Sequence, residues 1–281
     1  MTGVPTPGAG ARALAGARVG ADWRPGAGRP APAWRATLAQ AAMELRLIAR
    51  RGENLLVTLV IPVVLLLFFG SLRVLPTGTA AGSPARPIEA LLPGILALAV
   101  ISTSLVNLGI ATAYERSYGV LKRLGGSPLP RAGLIAAKML AVLVVELVQL
   151  ALLAGIATAA FGWTPGPGWS AMLVALTVLL GTLAFAGLGL LMAGGLRAEA
   201  TLAAANGLYI AFLLLGGIVL PVDQLPGVLT DLARLLPAAA LSDALRIGLG
   251  GTPGDASGAL LLLAGWGFIT AGLAARTFRW E

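Results

Sequence analysis

Tyr114–Arg131 reads YERSYGVLKRLGGSPLPR and lies between two long apolar runs, Ile88–Ala113 and Ala132–Phe161. Glu115, Arg116, Lys122, Arg123 and Arg131 would each cost several kcal/mol inside a bilayer. The segment therefore belongs on the water side, as a short link between two membrane helices. Its basic character places it in the cytoplasm, where a soluble partner can reach it. The flanking runs have the length of membrane helices, so the fold follows as an all-α membrane protein.

Composition agrees with this reading. The chain is 57% hydrophobic and only 11% charged, with a mean hydropathy of +0.88, whereas soluble domains carry about 25% charged residues. Charge is absent from long blocks, as a hydrocarbon solvent demands. The 281 residues divide into several spans with short loops, one polytopic membrane domain. Cysteine and histidine are both absent, which excludes disulfides, thiolate nucleophiles, Cys/His zinc sites and a histidine base. The net charge of +8 comes from 18 Arg and 2 Lys. Basic residues gathered in cytoplasmic loops explain it, and no nucleic-acid partner is expected.

Residues 1–33 are dominated by Ala, Gly, Pro and Arg without periodicity and read as a disordered cytoplasmic tail. Residues 34–281 then form the membrane domain. Within Trp34–Arg51, the residues Trp34, Leu38, Ala41, Ala42, Leu45 and Ile48 share one helical face, with Arg35, Gln40, Arg46 and Arg50 largely elsewhere. This predicts an amphipathic interfacial helix; a plain cytoplasmic extension of the first membrane helix would also satisfy the pattern. Six apolar runs follow, at Leu55–Leu72, Ile88–Ala113, Ala132–Phe161, Ala171–Leu196, Thr201–Leu220 and Ala259–Ala275, each near the length of about 20 residues that spans a membrane. With the N-terminus inside, Arg73, Arg86, Arg234 and Arg246 fall outside, which leaves 16 of the 20 Lys and Arg on the cytoplasmic side. Both termini are then cytoplasmic. In the last external loop, Val228, Leu229, Leu232, Leu235 and Leu236 share a face, Pro237 interrupts, and Leu241, Leu245 and Leu249 repeat at four-residue spacing. Both pieces are too short to span. They predict a short helical hairpin that lies on, or dips into, the outer leaflet, or simply caps the bundle.

Neither lysine follows a glycine, so the phosphate-binding pattern G-x-x-x-x-G-K-[ST] is absent and this chain is not a P-loop ATPase. No Ser-His or Cys-His pair exists, and Glu146 is the only acid deep in a span, so an enzyme is not expected. Lys138, Glu146 and Gln149 are candidate pathway or gating residues. Glu146 and Gln149 are neighbours on one face, and Lys138 lies about two turns earlier on a similar side. A carboxyl at depth must be protonated, paired or turned to a cavity, and the same Glu146 would also fit a hydrogen-bonded packing role. Asn107 and Asn206 read as interhelical hydrogen-bond residues, and the glycines of the later spans as close-packing positions.

The link Tyr114–Arg131 also carries a resemblance. Glu115-Arg116, Gly119-Val120-Leu121, Lys122-Arg123-Leu124 and Ser127-Pro128-Leu129 resemble the permease subunits of type-2 ATP-binding-cassette (ABC) exporters, notably the daunorubicin-resistance-like group. A second match runs from Gly216-Gly217-Ile218 to Pro221, then Leu225-Pro226, Leu236-Pro237 and Asp243 through Arg246. The chain departs from the pattern at Gly227-Val228, where an aromatic is common, and at Ala238-Ala239-Ala240, where hydroxyl or aromatic residues are common. The resemblance covers residues 34–281.

It implies six spans and a division of labour. A separate ABC-type ATPase subunit would bind ATP and Mg, this chain holding no cofactor or metal itself. Two permease chains, identical or different, would enclose the pathway in the cytoplasmic membrane. Tyr114, Glu115, Arg116, Gly119, Leu121, Lys122 and Arg123 would form the coupling helix that meets the ATPase. The cargo would be a hydrophobic or amphipathic compound such as a drug, antibiotic or lipid, with homodimeric multidrug efflux as one form. An ion- or proton-coupled transporter using Glu146, and an assembly protein without transport, remain open alternatives at this point.

Overall fold

The computed structural model describes residues 32–50, 52–71, 87–126, 129–218, 222 and 225–277. Outside them lie nearly all of the predicted tail, the link carrying Arg73 and Arg86, Ser127-Pro128 of the first motif, and Pro221 of the second. Every regular segment among the described residues longer than a single residue is helical. In chain order these are α1 Ala33–Arg50, α2 Gly52–Ser71, α3 Pro87–Ile101, a π-helical stretch Ser102–Asn107, α4 Leu108–Ser117, α5 Val120–Gly125, α6 Arg131–Phe161, α7 Ala171–Gly195, α8 Ala198–Leu215, α9 Gly227–Arg234, α10 Pro237–Gly248 and α11 Ser257–Thr277.

Among the described residues, five helices are long and apolar enough to cross a membrane: Ile88–Ser117, which runs through α3, the π stretch and α4, then α6, α7, α8 and α11. The chain is thus a multi-pass, all-helical membrane protein. The first predicted run, Leu55–Leu72, falls on the helix α2. Pro62 and Pro93 sit inside helices, as lipid-embedded helices tolerate when neighbours satisfy the freed backbone groups. The helix Ile88–Ser117 is the centre of the bundle. Its stretch Leu91–Ile101 is buried without a break, whereas α2, α6, α8 and α11 turn large apolar side chains outward.

Small residues set the closest approaches. A Cβ on Gly189 of α7 would lie 2.8 Å from the Leu105 carbonyl of the π stretch, and one on Gly187 would lie 2.4 Å from Thr270 Oγ1 of α11. Helices in lipid lack a hydrophobic force between them, so such contacts carry much of the packing. Thr270 uses its position to donate to the Ala184 carbonyl across the α7–α11 interface at 3.1 Å.

At the end of the bundle remote from the Tyr114–Arg131 link, the predicted pair of short helices is present as α9 and α10. They differ in depth. The first part of α10, Pro237–Ser242, is buried together with Ala244 and Leu245, while α9 keeps Val228 and Leu232 exposed. Ala238–Ala240 permit this insertion: a Cβ on Gly216 would already lie 2.8 Å from the Ala238 Cβ. The second motif is therefore a tertiary contact. Arg246 donates to the carbonyl of Gly217, which has a φ of 66° that favours glycine, and Asp243 stands 3.6 Å from the guanidinium. Burial lowers the Arg246 pKa and the Asp243 charge works against that.

Candidate functional site

The Tyr114–Arg131 link folds as an elbow. α4 ends at Ser117, Tyr118 and Gly119 turn the chain, and α5 begins at Val120. The Tyr118 N–H donates to Tyr114 O at 2.9 Å and the Gly119 N–H to Arg116 O at 3.0 Å. Gly119 has a φ of 72°, which a side chain would strain by about 1–2 kcal/mol. That is the structural reason for a glycine between the two basic stretches.

The charged residues of the elbow divide into two sets. Glu115 and Arg116 turn inward to different neighbours. Lys138 Nζ of α6 donates to Glu115 Oε2 at 2.7 Å and to Glu44 Oε2 of α1 at 3.0 Å, and Lys138 is 2% exposed. Gln40 Nε2 holds the other Glu44 oxygen at 2.8 Å. Arg116 donates to the Gly194 carbonyl at 2.6 Å and also to the Leu196 carbonyl. Those carbonyls end α7, where helix acceptors lack intrahelical partners and the dipole is negative. Leu121 is also inward, fully buried with Leu108, Leu129 and Leu134. Lys122 and Arg123 remain exposed, beside Tyr118 and Val120. Tyr114 is partly buried and stacks on Tyr118 at 6.1 Å between ring centroids.

Deeper in the bundle, polar side chains of several helices converge. Thr103 Oγ1 of the π stretch donates to Gln149 Oε1 at 2.9 Å, and Gln149 Nε2 donates to the Thr58 carbonyl of α2 at 2.9 Å. Glu146 is fully buried, accepts from Thr182 of α7 and has Ser104 beside it. Asn107 reaches Thr58 Oγ1 at 3.5 Å, and Asn206 donates to Leu202 O of its own helix at 2.9 Å. A small cavity of about 50 Å³ sits beside Glu44, Glu115, Lys138, Thr103 and Asn107. A larger groove of about 600 Å³ runs between α2, the central helix and α8, past Thr58, Asn107, Asn206 and Tyr209 to Tyr114, Glu115 and Tyr118. Glu146, Gln149 and Lys138 do not line this groove.

Residues 36–249 match the family described as ABC-2 type transporters. The chain belongs to that family. Among known relatives, it is 26% identical over 223 residues to a protein of Bacillus subtilis (strain 168) named "Putative transport permease YvfS", a match that covers 76% of this chain and 86% of that protein. This chain is accordingly a membrane transporter permease, and membership implies, in general, an ABC ATPase partner.

Sequence reasoning about the permease missed Glu44, Thr58, Thr103, Thr182 and Tyr118. Thr103 and Ser104 had a local signal, the cluster Ser102-Thr103-Ser104 within an apolar run, where hydroxyls compete for backbone carbonyls; Ser104 Oγ donates to Val100 O at 2.5 Å. A π stretch within a helix frequently marks a functional position. Glu44 had none, because it lies on an amphipathic helix where an acid ordinarily faces water.

Proposed function

We propose that this permease is the membrane subunit of an ATP-driven exporter in the cytoplasmic membrane, with both termini cytoplasmic and six spans. The observation that carries the reading is the elbow. Its outer surface presents Tyr118, Val120, Lys122 and Arg123, while Glu115, Arg116 and Leu121 root it in three helices. A soluble ATPase that binds ATP and Mg would dock on that outer surface through charge-assisted contacts and an apolar anchor. Inward roots let a push on the elbow reach the spans as rigid-body motion. Of the sequence-proposed coupling residues, Lys122 and Arg123 thus make the contact, Tyr114 supports Tyr118, Gly119 shapes the turn, and Glu115, Arg116 and Leu121 anchor it.

The groove supports a hydrophobic or amphipathic cargo, a drug, antibiotic or lipid. Its volume falls in the range of about 300–1,000 Å³ typical of small-molecule sites, and its wall combines apolar Ile61, Val106 and Ile110 with amides and tyrosines. Two permease chains, as a homodimer or heterodimer, would enclose it. In this reading Glu146 and Gln149, with Thr103 and Thr182, pack the bundle around the path, while Thr58 lines it.

The test is co-purification and efflux with a candidate ABC ATPase from the same cell, sought first in the reading frames next to this gene. The double reversal Lys122→Glu with Arg123→Glu is expected to lower ATPase association and efflux at least tenfold. Unchanged association and efflux would falsify the docking reading. Glu146→Gln separates the ion-driven alternative: ATP-driven efflux is expected to persist, and ATP-independent, pH-gradient-driven uptake lost in this variant would support that alternative instead.

A further inference from the structure

We propose that Lys138 is a positioning residue that makes the interfacial helix α1, the elbow and the start of α6 move as one unit. The proposal rests on the docking reading above and adds α1 to the moving parts. One buried ammonium serves two carboxylates from two different helices, Glu44 and Glu115, at 3.0 and 2.7 Å. Withdrawing either carboxylate would break one charge-assisted bond of a buried ammonium, and withdrawing Lys138 would leave the two carboxylates facing each other without their cation. Glu44 is itself steered by Gln40 one turn earlier on α1. α1 also seats closely on α6, where a Cβ on Gly133 would lie 3.0 Å from Thr37 Oγ1. The outward side of α1 carries Trp34 and Leu38, 58% and 49% exposed, the side-chain types that settle at a membrane interface. An elbow displaced by a docked ATPase therefore carries with it a helix that rides on the lipid surface. Glu115 also lines the large groove, so the same ion-paired knot positions part of the groove wall.

The chain contains no cysteine, so Ala39→Cys on α1 and Ser117→Cys at the end of α4, both at exposed positions, accept spin labels selectively. The label-to-label distance is read in the full-length permease in lipid nanodiscs, alone and with its ATPase trapped by ATP, Mg and vanadate. The parent chain is expected to give one narrow distribution that survives trapping. Lys138→Met is expected to add a second, longer population on trapping and to lower cargo moved per ATP hydrolysed at least fivefold, with the ATPase still bound. Lys138→Arg, which keeps a cation between Glu44 and Glu115, is expected to retain the narrow distribution. A Lys138→Met chain that keeps the narrow distribution and full coupling overturns the proposal. If that variant does not accumulate, Glu115→Gln and Glu44→Gln replace it, with broadening expected in each and an unchanged distribution overturning the proposal. Failure of the docking reading shows separately, as ATPase association indifferent to Lys122 and Arg123, while the distances in the permease alone still report on the knot.

Discussion

Glu115 and Arg116 are consecutive residues that serve different interfaces. About 100° of helix rotation separates adjacent side chains, so Glu115 reaches Lys138 on α6 while Arg116 reaches the end of α7. The Arg116 fork spans two carbonyls, those of Gly194 and Leu196, which an ammonium cannot match in geometry. Arg116→Lys is expected to destabilise the protein by about 1–2 kcal/mol, because a charge-assisted hydrogen bond contributes about 1.5–3 kcal/mol and lysine keeps only part of it. Thermal unfolding of the detergent-solubilised protein checks this, and a midpoint equal to the parent's would remove the claimed role. The identity of these two residues is plain in the sequence, and so is the need to keep them out of lipid. Their inward direction is not, since a charged pair beside a turn has the same composition whether it faces a neighbour or water.

At the scale of elements, helix positions follow closely from the apolar runs. The expected spans at 88–113, 132–161, 171–196, 201–220 and 259–275 appear as Ile88–Ser117, Arg131–Phe161, Ala171–Gly195, Ala198–Leu215 and Ser257–Thr277. The short pair in the loop after the fifth run is likewise present. How closely the helices approach depends on individual glycines. Gly189 has the Leu105 carbonyl 2.8 Å from where a Cβ would sit, whereas Gly207 has nothing within 4 Å. Gly189→Val is therefore expected to destabilise by about 1–3 kcal/mol, the usual range for overpacking. Gly207→Val should change far less, a side chain there meeting open space. Unfolding midpoints of the two variants measured side by side test the difference, and equal losses would contradict the packing assigned here.

For the whole molecule, the bundle has the charged elbow at one end and the α9–α10 pair at the other, because Ile88–Ser117 runs between them. Cytoplasmic placement of the elbow is an expectation from the excess of basic residues on that side. Single cysteines at Ser117 and Val228, both exposed, provide the check with a membrane-impermeant maleimide on intact cells. Val228→Cys is expected to react and Ser117→Cys to react only after the cells are opened. The opposite pattern would remove any route for a soluble ATPase to the elbow.

Residue order alone determined where the helices lie, which link must stay in water, and that Lys122, Arg123 and their neighbours belong to a permease family. The first two depend on solvation and the third on short motifs, and both are local properties of a stretch of chain. The tertiary structure decided that Ile88–Ser117 is central, that Leu121 and Glu115 face inward, and that Lys138 joins Glu115, 23 positions away, to Glu44, 94 positions away. The physical reason is that a helix apolar on every side has no hydrophobic face to reveal in its period. In lipid, small-residue contacts and buried polar pairs choose the neighbours, and these depend on residues far apart in the chain.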